Sequence, residues 1–243
     1  MIRQDSVALV TGASSGIGEA TAHALAERGV DVALAARRED RLATIAADVE
    51  SAFDVGTLVV PTDIRDEAAV REMVETTVEA FGRLDVLVNN AGVGVGGDVE
   101  RTTSEQYRLM METNVDGAFF ATRAAVPHLR ETRGNLVFVG SFAGQYPRPG
   151  NPIYAATKWW LRGFAHSVEG QLGPDGIGVS VVNPTEVRTE FGSEGGEPFE
   201  ERFEPGEVTE PEEVADAVAF AATQESSTVH EIDLYRRDKF EGW

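Results

Sequence analysis

The segment Tyr154-Ala-Ala-Thr-Lys158 sets a phenol and an ammonium four residues apart, a spacing that brings both to one face of a helix. A free phenol titrates at about 10, too high for a base at neutral pH, and a neighbouring positive charge favours the phenolate. Tyr154, kept partly ionised by Lys158, is therefore expected to exchange a proton with a substrate oxygen. The same spacing arises by chance in many helices, so its weight comes from the residues around it. Ser141 follows the run Asn135-Leu-Val-Phe-Val139. It should stand just beyond a strand's carboxyl end, where open α/β sheets bind ligands and a hydroxyl can reach a carbonyl. No Gly-x-Ser-x-Gly elbow encloses Ser141, so no Ser-His-Asp arrangement is implied.

A second chemical signal opens the chain. Val7 to Val10 reads as a strand, and Thr11-Gly12-Ala13-Ser14-Ser15-Gly16-Ile17-Gly18 leads from it into a helix. Glycines permit the tight turn and let the backbone approach a pyrophosphate, while the helix N-terminus offers unpaired N–H groups and partial positive charge. Glycine-rich turns also serve purely structural ends at strand-helix junctions. At the end of the second strand, where NAD-selective folds place a carboxylate against the adenosine ribose, the chain has Ala36 followed by Arg37 and Arg38. A 2′-phosphate would meet positive charge there, so NADP(H) is expected over NAD(H), with Arg37 the leading phosphate contact and Arg38 second. The two arginines could instead cap the strand or pair with Glu39 and Asp40.

The elements that must position these groups alternate along the chain. Short β-rich runs (Val7 to Val10, Asp31 to Ala35, Gly56 to Pro61, Val86 to Asn89, Asn135 to Val139, Val179 to Asn183) are separated by amphipathic stretches (Gly16 to Arg28, Arg38 to Glu50, Glu67 to Phe81, Ser104 to Leu129, Tyr154 to Leu172). Strands that are each followed by a helix imply parallel pairing with right-handed crossovers. The expected fold is α/β: a single-domain, doubly wound Rossmann sheet with helices on both faces, spanning residues 1–243. A possible seventh strand runs from Val229 to Tyr235. Residues 188–210, rich in Glu, Gly and Pro, lack periodicity and follow the sixth strand's carboxyl end, where a substrate loop is expected.

Thr11 to Gly18 resembles the cofactor turn of the short-chain dehydrogenase/reductase family, down to its Gly-x-x-x-Gly-x-Gly spacing. The resemblance covers residues 7 to about 190 and implies a catalytic set of Asn114, Ser141, Tyr154 and Lys158. Ser141 lies thirteen residues ahead of Tyr154, as the substrate-binding serine does in that family. Lys158 would hold the cofactor ribose, and Asn114, within Glu112-Thr113-Asn114-Val115, would support a water-linked proton relay. The implied cofactor contacts are Gly12, Ser14, Ser15, Gly16, Ile17, Gly18, Arg37, Asp63 at the adenine, Ile64, Asn90, Ala91, Gly92, Tyr154, Lys158, Pro184, Val187, and Thr189 at the carboxamide. Two departures stand out. Asn183-Pro184-Thr185 replaces the usual Asn-Pro-Gly, and the ending lacks the frequent glycine-rich segment. The activity implied is hydride transfer between NADP(H) and a secondary alcohol or ketone. A scaffold protein that binds nucleotide without chemistry is the alternative, although such proteins usually lose a catalytic position. A sugar-nucleotide epimerase would need a larger substrate domain.

Composition narrows the remaining classes. Hydrophobic residues make up 42% and charged residues 26%, as in globular chains, and no apolar run reaches the roughly 18 residues of a membrane span. The first strand begins too early to leave room for a signal peptide, so a cytoplasmic location is expected. Cysteine is absent, and the four histidines form no His-x-x-x-His pair, so no metal site is expected. The formal charge is −20, and only Lys158 and Lys239 among the 21 basic residues are lysine. Such a surface repels nucleic acid and anionic membranes and resembles the carboxylate-rich, lysine-poor surfaces of halophiles. Phe142, Gln145, Tyr146 and Phe191 are expected pocket walls, suiting a partly apolar small-molecule substrate. Trp159 and Trp160 cannot both face inward on one helix, so one is expected in a homodimer or homotetramer contact and the other in the core.

Overall fold

In the first strand, β1 (Val7–Thr11), Ala8 and Val10 enter one apolar cluster while Leu9 enters another, because successive strand residues point to opposite faces. The same division repeats in β4 (Val86–Asn89) and β5 (Asn135–Val139): Val86, Val88, Val137 and Val139 fall on one side, Leu87, Leu136 and Phe138 on the other. Strands apolar on both faces require a helical layer on each side. The computed structural model describes residues 6–192 and 196–241. Among these, β2 (Asp31–Ala36), β3 (Thr57–Pro61), β6 (Gly178–Pro184) and β7 (Glu231–Leu234) complete a sheet ordered β3-β2-β1-β4-β5-β6-β7. Every pairing is parallel. One face is covered by α1 (Gly16–Ala26), α2 (Glu39–Ala52) and, later in the chain, Pro211–Ala222; the other by α3 (Glu67–Phe81) and two helices of the second half, Gly117–Thr132 and Pro152–Leu172. The expected doubly wound Rossmann sheet is thus observed. Strand order reverses between β1 and β4, and the crevice at their carboxyl ends is where such sheets bind ligands. Among the described residues no helix is long and apolar enough to cross a membrane.

The sequence-read elements recur with ends shifted by at most two residues, except in one place. The stretch expected to run unbroken from Ser104 to Leu129 is α4 (Ser104–Met111), a single wide π turn at Glu112–Asp116, and α5 (Gly117–Thr132). Side-chain chemistry explains the break. Within the wide turn, Asn114 accepts a hydrogen bond from the Val93 N–H and donates one to the Val93 carbonyl, both 2.8 Å, and donates another to Thr157 Oγ1 at 3.0 Å. These tertiary bonds hold the backbone in a geometry that helical periodicity cannot reveal.

Further along, Asn151 caps α6 (Pro152–Leu172) by accepting from the Tyr154 N–H, and Pro152 occupies the first turn, where its missing N–H costs nothing. The helix that carries the Tyr-Lys pair therefore has a defined start. Neither tryptophan of α6 lies in the core, against expectation. Trp159 is 47% and Trp160 36% exposed, and Trp160 stacks on Phe164, because Ala155, Lys158, Leu161 and Ala165 occupy the inward stripe. A short helix, α7 (Phe199–Arg202), and α8 (Pro211–Ala222) precede β7.

Candidate active site

At the phosphate turn, Gly12 and Gly16 adopt φ of +66° and +56°, the left-handed region where side-chain-bearing residues are strained. Gly18 serves space rather than torsion: a Cβ there would stand 2.3 Å from the Gly12 carbonyl oxygen. The turn is tied to the end of β4. Asn90 Nδ2 donates to the Thr11 and Gly12 carbonyls at 2.9 and 3.2 Å, and Thr11 Oγ1 accepts from the Asn90 and Ala91 N–H groups. Asn89 faces away and donates to Thr122 instead.

Arginine closes the other side of the turn. Arg38 donates to Ser14 Oγ at 3.1 Å, to Ser15 Oγ at 2.8 Å, and to Glu190 at 2.8 Å. Arg37 lines the cavity over Asp63, whose carboxyl it helps to keep ionised. Of the two arginines, the one read as second thus holds the serines of the turn. Arg65 binds the Asp63 carboxylate through Nε and Nη2 at 2.6 to 3.1 Å and brings its pKa down to about 2. No local signal separated the roles of Arg37, Arg38 and Arg65, since each role depends on which strand end faces which loop.

Ser141, Tyr154 and Lys158 meet at the carboxyl ends of β5 and β6. Ser141 is held by its N–H on Asn183 Oδ1 and by its Oγ accepting from the Ala143 N–H, and its hydroxyl favours ionisation of the nearby Tyr154 phenol. Lys158 is 5% exposed. Its ammonium donates to the Val139 carbonyl at 2.8 Å and stands 5.9 Å from the centre of the Tyr154 ring. Burial raises the phenol to about 12, against the opposing effects of Ser141 and Arg148, and burial lowers Lys158 to about 8. The expected partial ionisation of Tyr154 by Lys158 is therefore corrected. The ammonium points at a backbone carbonyl, desolvation outweighs charge, and the phenol is neutral at pH 7.

One cavity of about 520 Å³ connects these groups. Every expected site residue lines it except Gly18, which packs beneath the turn, and Asn114, which is 2% exposed behind Val93. A Cβ on Gly92 would lie 3.5 Å from Asn114 Oδ1 and 3.6 Å from Lys158 Nζ, so these two residues are close neighbours across a glycine. Of the expected walls, Phe142 and Phe191 line the cavity. Gln145 and Tyr146 do not: Gln145 turns to Glu231 and Asp233 on β7, and Tyr146 stacks on Phe142 at 4.3 Å. In their place stand Arg148, Glu186 and Lys239, which no motif announced. The one available signal was that Lys239 is half of the lysine content.

Described residues of the segment after β6, among them Thr189, Phe191 and Phe199, line the cavity. Thr189 packs its methyl against Gly16 and accepts from the Phe191 N–H. Val187 bridges to Thr209, Arg188 pairs with Glu210 at 3.0 Å, and Glu200 N–H donates to the Thr189 carbonyl. Residues 193–195 of the expected substrate loop lie outside the described residues. Thr185, the departure from Asn-Pro-Gly, avoids positive φ and accepts from the Arg236 N–H at 3.1 Å, while its own N–H donates to Leu234 at 3.0 Å. Its hydroxyl thus fastens the C-terminal segment beside the cavity. Elsewhere, His166 and His230 stack at 4.4 Å beside Glu231, a neighbourhood that sequence spacing hides. The Glu231 carboxylate there is taken by Arg162 in two bonds of 2.7 and 2.8 Å.

Comparisons with known proteins agree with this architecture. Residues 6–198 match the short chain dehydrogenase family. Meso-2,3-butanediol dehydrogenase of Serratia marcescens is 33% identical over 234 residues, 95% of this chain and 92% of the relative. An alcohol dehydrogenase from the archaeon Thermococcus sibiricus, complexed with 5-hydroxy-NADP, superposes with a TM-score of 0.87 at 32% identity, covering 94% of this chain and 95% of the other. A 3-ketoacyl-(acyl-carrier-protein) reductase from Brucella melitensis, complexed with NADH, gives 0.86 at 30% identity over 97% and 98%. With the glycine turn, the serine and the Tyr-x-x-x-Lys helix gathered on one parallel sheet, this chain belongs to the short-chain dehydrogenase/reductase family.

Proposed function

We propose that the protein transfers hydride between NADP(H) and a ketone or secondary alcohol, with Tyr154 as general acid/base. The observation that carries this reading is that the phosphate turn and the Ser141–Tyr154–Lys158 group line one continuous cavity. In reduction, Ser141 polarises the carbonyl and the neutral phenol of Tyr154 donates the proton as hydride arrives. The cofactor supplies the hydride. Lys158 holds the ribose, and Asn114 and its wide turn link the lysine to solvent through water. Gly12, Ser14, Ser15, Gly16 and Ile17 bind the pyrophosphate, with Gly18 giving the turn its space. Asp63 and Ile64 flank the adenine, and Asn90, Ala91 and Gly92 line the channel. Pro184, Val187 and Thr189 flank the nicotinamide. Residues 188–210 act as the substrate loop of one domain spanning the chain. The relative meso-2,3-butanediol dehydrogenase, and a solved alcohol dehydrogenase complexed with 5-hydroxy-NADP, support the reaction class. The direct test is loss of NADPH fluorescence on adding simple ketones; no loss with any of a broad panel would reject the reading.

NADP(H) preference rests on Ala36, Arg37 and Arg38 at the end of β2. Introducing Ala36→Asp should place a carboxylate against the 2′-phosphate and lower the NADP/NAD ratio of kcat/KM by about a hundredfold. An unchanged ratio would remove Arg37 from the phosphate subsite. The exposed Trp159, Trp160 and Phe119 support a homodimer or homotetramer built on the α4–α6 side, in the cytoplasm.

With 41 acidic against 21 basic residues, self-repulsion should be strong in dilute buffer and screened in concentrated salt. Thermal stability and activity are accordingly expected to rise towards molar salt. Equal melting temperatures at about 0.1 M and at molar concentrations would argue against a halophilic protein.

A further inference from the structure

The wall of the cavity beyond Ser141 carries charge that the proton transfer does not use. Lys239 is 7% exposed, and its ammonium lies 2.6 and 2.8 Å from the two Glu186 oxygens. Arg148 reaches the same carboxylate at 3.4 Å and Arg236 approaches it at 3.9 Å. Arg236 is closer to Asp238, at 3.2 Å, so three cations meet two carboxylates. Burial opposes ionisation of Glu186, but the Lys239 hydrogen bond and the Arg148 charge help to hold it below the usual range, so the cluster keeps a surplus of positive charge. In a chain of net charge −20, both lysines face this one cavity.

Phe142 sets where that surplus lies. Its ring is 4.5 Å from the Lys239 ammonium and 5.7 Å from the Arg148 guanidinium, and it is the residue next to Ser141. Arg148 is also near enough to Tyr154 for its charge to act on the phenol. Among the described residues its one side-chain hydrogen bond is the long contact to Glu186, which leaves most of the guanidinium fork for another acceptor. An acidic protein repels small anions at long range. A positive corner beside the reacting oxygen gives such an anion a favourable seat, and the fork suits planar oxyanions.

We propose that this corner is an anion subsite, and that the substrate is a ketone or secondary alcohol bearing a carboxylate or sulfonate held by Arg148, with Lys239 behind it. Glu186 keeps the two cations in place, and Phe191 and Phe199, also on the cavity wall, take the apolar stem between the two polar ends. The proposal rests on the dehydrogenase reading for the substrate's reacting end.

The test pairs turnover with binding. In turnover with NADPH, 4-oxocyclohexanecarboxylate and 4-oxocyclohexanesulfonate are compared with the methyl ester of the former. At least one anion should exceed the ester in kcat/KM by about tenfold or more, and the arm that wins names the anion. Arg148→Gln should bring the anion-to-ester ratio close to one, mainly through KM, and Arg148→Lys should restore part of it. Calorimetry of the protein saturated with NADP⁺ then compares cyclohexanecarboxylate with cyclohexanecarboxamide, neither of which can react. Tighter carboxylate binding that Arg148→Gln abolishes supports the subsite even if no ketone is reduced, in which case the dehydrogenase reading fails alone. Equal binding of acid and amide, an ester preferred to both anions, or a preference that survives Arg148→Gln would overturn the subsite.

Discussion

Tyr154→Phe is expected to lower kcat by about a thousandfold or more while the NADPH dissociation constant changes by less than about threefold. The substitution removes the phenol hydroxyl that Ser141 acts on and leaves the ring, with its contact to Phe191 at 5.4 Å, in place. Because burial holds the phenol at about 12, it is protonated throughout the neutral range and ready to donate. Ketone reduction should then be nearly flat from about pH 6 to 8, whereas alcohol oxidation, which needs the deprotonated phenol, should climb with pH. Single-turnover measurements in both directions, with fluorescence titration of NADPH, would check this. A Tyr154→Phe variant that keeps more than about a tenth of the original turnover would take the proton transfer away from Tyr154.

Lys158→Met should abolish nearly all turnover and, at pH 7, stabilise the fold. The two outcomes share a cause. Lys158 is buried with a single backbone acceptor, Val139, and burial lowers its pKa from 10.5 to about 8. The folded pKa lies below the unfolded one, so the unfolded chain binds the proton more tightly between those values. The charged side chain therefore opposes folding below about pH 8, and the penalty fades as pH rises through 8 towards 10.5. A shift of that size corresponds to roughly 3 kcal/mol. Leaving the Val139 carbonyl without its donor costs about 1–3 kcal/mol in the opposite direction, and the charge wins by about 1 kcal/mol. The melting temperature should rise by about 2–4 °C at pH 7 and lose that gain by about pH 10. A lower melting temperature at pH 7 would mean that the ammonium is stabilised in the fold, contrary to its environment. Strain kept for function in this way is common at active sites.

These expectations share one physical basis. Lys158 is buried and Tyr154 half-buried in a protein that is strongly acidic on its surface, so desolvation governs these two groups while cations govern the two ends of the cavity. At one end Arg37, Arg38 and Arg65 surround Ser14, Ser15 and Asp63; at the other Arg148, Arg236 and Lys239 surround Glu186, with Asp238 beside Arg236. Nearly every one of these cations is paired with a carboxylate, which tempers its charge without removing it. The cavity accordingly offers two positive ends separated by a phenol, a hydroxyl and aromatic rings.

Local rules make much of this readable in the chain itself. Strands apolar on both faces demand helices on both sides, glycines at Gly12, Gly16 and Gly18 meet needs that no other residue meets, and a four-residue spacing puts Tyr154 and Lys158 on one helical face. All of these are short-range properties of the chain. The protonation state of Tyr154, the π turn at Asn114, the grip of Arg38 on the serines, the outward tryptophans and the charged corner of Arg148, Glu186 and Lys239 were not readable. Each depends on which distant segments pack together: Asn114 on Val93, Thr185 on Arg236, Phe142 on Lys239. Spacing decides which groups can share an element, whereas desolvation and ion pairing act through space between elements, and only the folded arrangement sets them.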